Sequence, residues 1–398
     1  MSQATKSKYE EMGVDPHKSN VRKIFGAVVN NDYPGAFVNI VEDPSIIKQV
    51  LTQHQDGDGS KSVQRMLHYL ETKDETIFRY MVDDALSMNT GDIAAAGFVF
   101  GTWVLTDILN VNLGKELKEI VMQSVAIRFQ ELKELYKKNG FNSFLFLGGE
   151  TADLKNQITP GTFVFDIGIT AWAKKDDLIT GNIKPDDKIY GFASDGKAKW
   201  EQEPNSGIGS NGLTLARSCL MHQEYNFKYN PVIPNSFYEG KFKVWDTPQI
   251  LGRLTVSEAL LSPTRQWAIV IHKILSHLKK MNCSHLLHGI TMNTGGGATK
   301  IKNIGRGGIV YYKQMPKMPP LFELIQEESG ETLRGMYETF NCGVGIDLIG
   351  KDDPRLHEVL REVSRECGIK LYELGHCEAC EGKNKVILYT GEEYIEYS

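Results

Sequence analysis

Amphipathic helices alternate with apolar strands along the chain, and this alternation limits the possible fold more than any other feature. The longest helical pattern covers residues 113–138, where apolar residues recur at steps of three and four and Asn139-Gly140 supplies a stop signal. A short apolar run at 143–147 follows and is typical of a buried strand. Because helices and sheets each bury one apolar face against another element, the pattern predicts an α/β (α+β) fold with helices packed on sheets.

The chain has 398 residues, a length typical of two domains. A strand pattern at 162–173 is followed by the turn sequence Lys184-Pro-Asp-Asp-Lys188, after which a new strand is expected at 188–193. We therefore place a boundary at this turn and expect mixed α/β domains at 1–187 and 188–398. The second domain is expected to contain helices near 264–280, 321–328, 333–339 and 355–366, and strands near 285–290, 308–313, 343–349, 370–373 and 385–389.

Composition and charge exclude several classes of protein. The formal net charge is -5, so no general attraction to nucleic acid or to acidic membranes is expected. The sequence contains no apolar run of membrane-spanning length and no signal-peptide pattern, which predicts a cytoplasmic protein without membrane contact. Cys377 and Cys380 have metal-like spacing, but without a second pair a structural or incidental role is favoured over a zinc or redox site.

The segment Gln55-Asp-Gly-Asp-Gly-Ser-Lys61 combines carboxylates, glycines and a lysine. Carboxylates such as Asp56 suit Mg²⁺, which binds through one or two carboxylates plus substrate phosphates. The glycines allow close approach of the backbone to an anion, and Lys61 offers a point charge for phosphate. A solvated turn accounts for the same residues, because Asp-Gly pairs commonly form turns. A calcium loop fits poorly, since a loop that begins at Asp56 has Leu67 where the twelfth-position Glu belongs.

A second acidic group, Asp83, Asp84 and Asp92, falls in an apolar helical pattern that starts at Met81. Aspartates on a buried helix cost desolvation energy unless they are paired or bind metal. Asp84 and Asp92 are eight residues apart and would share one face of an unbroken helix. With Asp56 they would form a carboxylate cluster able to chelate the magnesium of a nucleotide. Surface charge together with a helix N-cap is the alternative.

Three glycine-rich segments lie at the ends of predicted strands. Such loops suit backbone binding of phosphate, although each one also fits an ordinary turn. None matches the Walker A pattern or the dinucleotide-binding fingerprint, so an ATP site would need another architecture. The segments are Gly148-Gly-Glu-Thr151, Gly207-Ile-Gly-Ser-Asn-Gly212 and Asn293-Thr-Gly-Gly-Gly297.

Taken in order, these segments resemble motifs of the aminoimidazole ribonucleotide synthetase (phosphoribosylformylglycinamidine cyclo-ligase) family. The resemblance is collinear over residues 9–375. Two family histidines are replaced here by Gly209 and Met292, which leaves the acid and base unassigned. His288 is the proposed substitute, and a structural role for this lone histidine at a strand end is the alternative. Apparent insertions at 197–205 and 224–256 are expected to remodel the entrance to the site. The further matching segments are Tyr9-Glu-Glu-Met-Gly-Val-Asp15, residues 84–97, Leu261-Ser-Pro-Thr-Arg265 and Phe340-Asn-Cys-Gly-Val-Gly345.

The resemblance implies a two-domain α/β fold whose N-terminal sheets pair in a homodimer, with ATP and Mg²⁺ as cofactors. It also implies a reaction in which formylglycinamidine ribonucleotide and ATP give aminoimidazole ribonucleotide, ADP and phosphate. Phosphorylation of the formyl amide oxygen makes that oxygen a good leaving group, and catalysis is mainly positioning and charge neutralisation. A non-catalytic nucleotide-binding relative, or a kinase or ligase of the superfamily with another small phosphorylated substrate, is the alternative.

The resemblance assigns roles to individual residues. Asp56, Asp84 and Asp92 are expected to bind Mg²⁺, and Lys61 and His288 to act in catalysis together with Asp56 and Asp92. The nucleotide and the substrate are expected to contact Gly57, Gly59, Ser60, Gly148, Gly149, Glu150, Thr151, Ser210, Asn211, Gly212, Arg265, Thr294, Gly295, Gly296 and Gly297.

Overall fold

The computed structural model describes residues 7–13, 24–233 and 237–398. Within these ranges the chain forms two sheets flanked by helices, which confirms the predicted α/β fold. The strands of the first sheet are β1 (Val41–Glu42), β2 (Gln49–Gly57), β3 (Trp103–Val111), β4 (Phe144–Asp153) and β5 (Phe163–Lys174). They lie in the order β1-β2-β5-β3-β4, and all neighbours are antiparallel except the parallel pair β3 and β4.

The second sheet contains the strands that follow residue 187. They are β6 (Lys188–Ala193), β7 (Leu287–Met292), β8 (Ile309–Gln314), β9 (Val344–Gly350), β10 (Leu371–Ala379), β11 (Lys385–Tyr389) and β12 (Tyr394–Tyr397). Their order is β12-β11-β8-β10-β6-β9-β7. No strand is shared between the two sheets in the described ranges, and this supports the boundary at 187/188, which stays a prediction.

The helices pack against the sheets. They are α1 (Lys8–Glu11), α2 (Lys61–Thr72), α3 (Tyr80–Ala95), α4 (Lys115–Lys138), α5 (Leu213–Leu220), α6 (Tyr225–Lys228), α7 (Val256–Leu260), α8 (Trp267–Lys280), α9 (Pro320–Ser329), α10 (Leu333–Thr339) and α11 (Pro354–Cys367). The helix predicted at 113–138 is α4, and it ends at Asn139-Gly140 as expected, with Gly140 in the left-handed region at φ 94°. Within the described ranges, no helix combines the length and the apolar character that a membrane crossing requires.

Helix α3 joins the two halves of the molecule. All of its residues from Met81 to Ala95 are buried, because α3 packs on β2 and β5 on one side and on α8 and β7 on the other. Hydrogen bonds also cross this junction: the Gln266 amide donates to the Asp83 carbonyl, and the Ser87 hydroxyl donates to a carbonyl of the second half. The predicted helix packed on a core is therefore confirmed, and its aspartates lie at the junction.

The strand predicted at 143–147 forms as part of β4, but the prediction that it is buried was wrong. β4 is an edge strand, and Leu145, Phe146 and Leu147 are 46%, 38% and 70% exposed. Ile108 on β3 and Val164 on β5 are also exposed. An apolar run specifies a strand, but which strand lies at the edge depends on long-range pairing that the run does not encode.

Candidate functional site

The end of β2 brings Asp56 alongside helix α3. The Asn89 amide donates to the Asp56 carbonyl at 2.9 Å, and His54 Nδ1 lies 3.0 Å from Asn89 Oδ1. His54 Nε2 lies 3.4 Å from Asp92 Oδ2. Burial alone would lower the pKa of His54, but the hydrogen bond and the charge of Asp92 raise it above its usual value, and Asp56 adds to this. Asp56 and Asp92, from separate segments, therefore lie beside one imidazole.

We call His54, Asp56 and Asp92 the carboxylate cluster. His54 was not among the predicted site residues, although the alternation of a strand puts residues 54 and 56 on the same face of β2 and could have indicated it. The three predicted metal ligands, Asp56, Asp84 and Asp92, do not form a compact chelate. Among the described residues, a different group has metal-like spacing: His277, Glu362 and Glu366 on α8 and α11. Their possible ligand atoms all lie within 4.8 Å of one another.

Lys300 connects the carboxylate cluster to the glycine loop that follows β7. Its Nζ lies 3.7 Å from Asp92 Oδ2 and donates to Thr294 Oγ1 at 2.6 Å. Lys300 belongs to the 3-10 helix Gly297–Asn303 that starts at this loop. Lys300 was not among the predicted site residues, because a lysine three residues beyond the last glycine carries no signal of its own.

One small cavity of about 30 Å³ is lined by Asn205 and the predicted Gly207–Gly212 segment, by the loop after β7 and by the segment before α8. We call it the glycine cavity. A Cβ added to Gly295 would lie 3.2 Å from Asn211 Oδ1, and one added to Gly59 would lie 3.6 Å from the Ser210 carbonyl oxygen, so these segments touch. The residues that line the cavity are Ser194, Asn205, Gly207, Ile208, Gly209, Asn211, Thr264, Arg265, Trp267, Asn293, Thr294, Thr339, Phe340, Asn341 and Gly345.

Several buried polar atoms at the glycine cavity lack a hydrogen-bond partner within the described part of the chain. They are Asn211 Nδ2, Asn293 Oδ1 and Thr339 Oγ1, and Ser210 Oγ in the adjoining loop is unsatisfied as well. Native proteins usually satisfy buried polar groups, so a cluster of unsatisfied ones indicates a place where a polar ligand or water binds. A volume of about 30 Å³ accommodates water, whereas a nucleotide requires the walls to separate.

The structure contradicts the predicted metal role of Asp84 and the predicted phosphate contact of Lys61. Both side chains are fully buried, and Lys61 Nζ donates to Asp84 Oδ1 at 2.8 Å and to the Ser262 carbonyl at 2.7 Å. Asp84 also accepts hydrogen bonds from Arg65 and from the Thr264 amide. Burial alone would raise the pKa of Asp84, but the charges of Lys61 and Arg65 lower it below its usual value. This network is structural and ties α2 and α3 to the second half.

Arg265 lies in the wall of the glycine cavity with its donors already engaged. Its guanidinium donates to both oxygens of Glu201 at 2.8 and 2.9 Å and to backbone carbonyls at 193, 195 and 196. Glu201 and Asn205 come from the apparent insertion at 197–205, and Asn205 lines the cavity. The insertion therefore contributes to the wall of the site, while a direct substrate contact by Arg265 stays a prediction.

The predicted segment Gly148–Thr151 lies within β4 and outside the glycine cavity. Cross-strand register places Asp56 opposite Ile167, Ile167 opposite Asp107, and Asp107 opposite Gly149. Gly149 is thus level with Asp56, but three strand spacings, about 14 Å, separate them. A Cβ at position 149 would lie 1.9 Å from the Asp107 carbonyl oxygen, so close packing requires glycine there.

The remaining predicted glycines lie at helix starts or at points of close approach. Gly212 precedes α5 at φ 77°, and a Cβ on Gly297 would lie 2.4 Å from the Phe340 carbonyl oxygen. Gly59 and Ser60 precede α2. A Cβ on Gly57 would collide with the Asp166 carboxylate, and Gly296 lies in the left-handed region at φ 93°.

The structure also contradicts the prediction that His288 acts at the glycine loop. His288 lies near the start of β7, whereas the loop follows Met292 at the other end of the strand, about 13 Å away. His288 Nδ1 lies 2.7 Å from Asp187 Oδ2, and the ring faces a different cavity. Residues 14 and 15 of the Tyr9–Asp15 segment lie outside the described residues.

Comparison with curated proteins gives several relatives, each named phosphoribosylformylglycinamidine cyclo-ligase. The protein from Methanococcus maripaludis strain C7 is 26% identical over 388 residues, which cover 93% of this chain and 92% of the relative. The protein from Pyrococcus furiosus is 32% identical over 295 residues, which cover 73% of this chain and 70% of the relative. No family model matches the chain.

Solved structures with the same fold include phosphoribosylformylglycinamidine synthase II from Thermotoga maritima, with a TM-score of 0.54 and 10% identity. That comparison covers 99% of this chain, which spans 51% of the synthase chain. This likeness establishes the fold, and the sequence relatives establish the family. The chain therefore belongs, as a divergent member, to the phosphoribosylformylglycinamidine cyclo-ligases, a family of ligase enzymes.

Proposed function

We propose that this chain catalyses the ATP-dependent cyclisation of formylglycinamidine ribonucleotide to aminoimidazole ribonucleotide, with release of ADP and phosphate, in purine biosynthesis. Membership of the cyclo-ligase family supports this reaction. The observation that carries the proposal is Lys300, which lies against Asp92 and donates to Thr294, so that acidic residues of the first half and the glycine loop of the second half form one site.

Asp56 and Asp92 are the residues that would hold Mg²⁺. Carboxylate oxygens are the ligands that Mg²⁺ prefers. Two carboxylates are sufficient, because the phosphates of the nucleotide complete the coordination of the ion. When bound, the ion would neutralise charge that develops on the transferring phosphoryl group. Lys300, 16% exposed and already at the cluster, takes the phosphate-contacting role that the sequence assigned to Lys61.

The polar atoms of the glycine cavity would bind the ribonucleotide. Asn211 Nδ2 and Thr339 Oγ1 are buried without partners among the described residues, as is Ser210 Oγ in the adjoining loop, so these atoms can form hydrogen bonds with substrate at low desolvation cost. Since the cavity measures about 30 Å³, substrate entry requires residues 205–212 and 293–297 to move apart. The backbone amides of the glycine loop are then suited to an anionic group.

Proton transfer has to be assigned to groups other than the family histidines. Met292, which replaces one of them, packs its side chain against Gly91, the neighbour of Asp92. His54 contacts Asp92 from β2, so the site still contains one imidazole. We assign to His54 the role of holding Asp92 in position.

A turnover assay tests the proposal. Purified chain with formylglycinamidine ribonucleotide, ATP and Mg²⁺ should release ADP only when the ribonucleotide is present. Asp92→Asn should lower turnover by about 100-fold or more, because the loss of a charge at the phosphoryl-transfer site removes transition-state stabilisation. Asp153→Asn, an exposed carboxylate on the edge strand, is the matched control and should turn over normally.

Two outcomes would contradict the proposal. ATP binding without ribonucleotide-dependent ADP release would favour a non-catalytic nucleotide-binding relative. ADP release with a different small phosphorylated compound, and none with formylglycinamidine ribonucleotide, would assign another reaction of the superfamily.

A further inference from the structure

Helices α8 and α11 pack against each other and carry a group of three side chains that the reaction proposed above does not use. His277 lies in the last turn of α8, and Glu362 and Glu366 lie one turn apart on α11. Residues four apart share one face of a helix, so both carboxylates can reach the same neighbour. The three side chains each offer one possible ligand atom, and these atoms all lie within 4.8 Å of one another. We call this group the helix-pair cluster.

The imidazole of His277 faces a carboxylate at both of its nitrogens. Nδ1 lies 3.3 Å from Glu362 Oε2, and Nε2 lies 3.1 Å from Glu366 Oε1. A neutral imidazole has one N–H and one lone pair, and a carboxylate only accepts hydrogen bonds, so one of the two carboxylates faces a nitrogen with no proton to donate. A metal ion between that lone pair and that carboxylate removes the mismatch. The other nitrogen still donates to its own carboxylate, which is how metal-bound histidines are usually oriented.

The charges of the helix-pair cluster also favour a cation. Within the described ranges, Lys273 is the one lysine or arginine at ion-pair distance from either carboxylate, with its Nζ 3.4 Å from Glu366 Oε2. Glu362 pairs there with His277 alone. With a neutral imidazole, two carboxylates therefore face one ammonium, and one negative charge is left to be balanced. All three side chains of the cluster are partly exposed, so an ion reaches them from solvent.

The types of ligand atom select among the common ions. Zn²⁺ binds imidazole nitrogen and carboxylate oxygen in a tetrahedron with distances of about 2.0–2.2 Å, whereas Mg²⁺ and Ca²⁺ prefer oxygen ligands alone. Ligand atoms of such a tetrahedron are about 3.4 Å apart, a spacing that the cluster reaches with small side-chain adjustments. Three protein ligands leave the fourth position of the ion to water.

We propose that His277, Glu362 and Glu366 form a zinc site that links α8 to α11, with water as the fourth ligand. The ion fixes the C-terminal end of α8, a helix that also packs on α3, and its binding stabilises the folded chain. None of the three residues lines the glycine cavity or belongs to the carboxylate cluster. This proposal therefore does not depend on the reaction assigned above.

Titration calorimetry of the full chain with zinc chloride tests the proposal. His277→Gln should weaken zinc binding at this site by about 100-fold or more, and Glu362→Gln by about 10-fold or more, because each removes one ligand. The wild type should therefore bind one more zinc ion per chain than His277→Gln does. Since Glu362 is 46% exposed, its variant keeps the test valid even if His277→Gln fails to fold.

Lys273→Met should have the opposite effect and strengthen zinc binding by about 2- to 5-fold. The substitution removes the ammonium that competes with the ion for Glu366. A variant that damages the fold loses affinity, so a gain of affinity separates a true site from an indirect effect on structure.

His376→Gln is the matched control, since His376 Nε2 lies 2.9 Å from Glu378 Oε1 but this exposed pair belongs to no group of three possible ligands among the described residues. It should bind zinc like the wild type. Zinc should also raise the melting temperature of the wild type and of this control, but not that of His277→Gln. The proposal is overturned if the wild type binds no zinc more tightly than about 100 µM. It is also overturned if the His277 and Glu362 variants bind like the wild type, or if His376→Gln loses as much affinity as His277→Gln.

Discussion

Two aspartates of helix α3 show how much surroundings change the role of a residue. Asp84 and Asp92 are eight residues apart, and both fall in the same buried helix. Asp84 is fully buried among Lys61, Arg65 and Thr264, whereas Asp92 is 10% exposed and faces His54 and Lys300. A carboxylate whose oxygens are already bound to buried cations has no coordination left for an ion, so Asp84 is structural.

Asp84→Asn should lower the free energy of unfolding by about 3–5 kcal/mol, because it leaves the buried Lys61 without its ion-pair partner and Arg65 paired with Asp58 alone. Urea denaturation followed by circular dichroism measures this loss. Asp153→Asn, which removes an exposed carboxylate from an ion pair with Lys118, should change stability by less than about 1 kcal/mol. If the two variants were equally stable, the structural role of Asp84 would be wrong.

At the scale of elements, the glycine loop after β7 is supported by a lysine of β8, a strand that is not adjacent to β7 in the second sheet. Lys313 on β8 is fully buried, and its Nζ donates to the Ala298 carbonyl at 3.0 Å and to Asp347 Oδ2 at 2.8 Å. Asp347 lies on β9, next to β7. The ion pair therefore fixes the backbone directly after Gly297 to the second sheet, and it positions the loop without reaching substrate.

Lys313→Met should destabilise the fold by about 3–5 kcal/mol, because Asp347 would remain buried without its partner. The double variant Lys313→Met with Asp347→Leu should recover most of this stability, since it removes both charges. Its turnover should nevertheless remain reduced by about 10-fold or more, because the anchor of the loop is still missing. Denaturation and the ADP-release assay together measure the two effects, and full activity of the double variant would rule out positioning by Lys313.

At the scale of the whole molecule, the first sheet has helices on one face and an uncovered opposite face. Exposed apolar residues on that side include Ile108, Leu147 and Val164. A sheet face of this kind is commonly covered by another subunit. We propose that it pairs with the same face of a second copy, as the family resemblance implies, and the cytoplasmic location likewise stays a prediction.

A double variant, Leu147→Lys with Val164→Lys, should convert the dimer to a monomer, because charges on both adjoining faces would be desolvated at the interface. Light scattering coupled to size exclusion measures the mass of each form. Phe227→Lys, which alters a residue 79% exposed in the other half, should leave the mass unchanged. A wild type with the mass of one chain would refute the dimer.

The sequence by itself determined the elements and the family. The helix at 113–138, the strand at 188–193 and the α3 helix follow from local periodicity, because apolar spacing reports which face of an element is buried. The order of the motifs identified the family without structural information. Local patterns also indicated Asp56 and Asp92, which lie beside the imidazole of His54 in the structure.

Only the tertiary structure decided what each polar side chain contacts. It buried Lys61 with Asp84, carried His288 to a separate cavity, brought Lys300 to Asp92 and left β4 at a sheet edge. Those outcomes depend on partners that are far apart in the chain, such as the Lys61 contact with residue 262. Burial and charge pairing, which set the role of an ionisable group, are properties of packed neighbours, and neighbours distant in sequence leave no local signal.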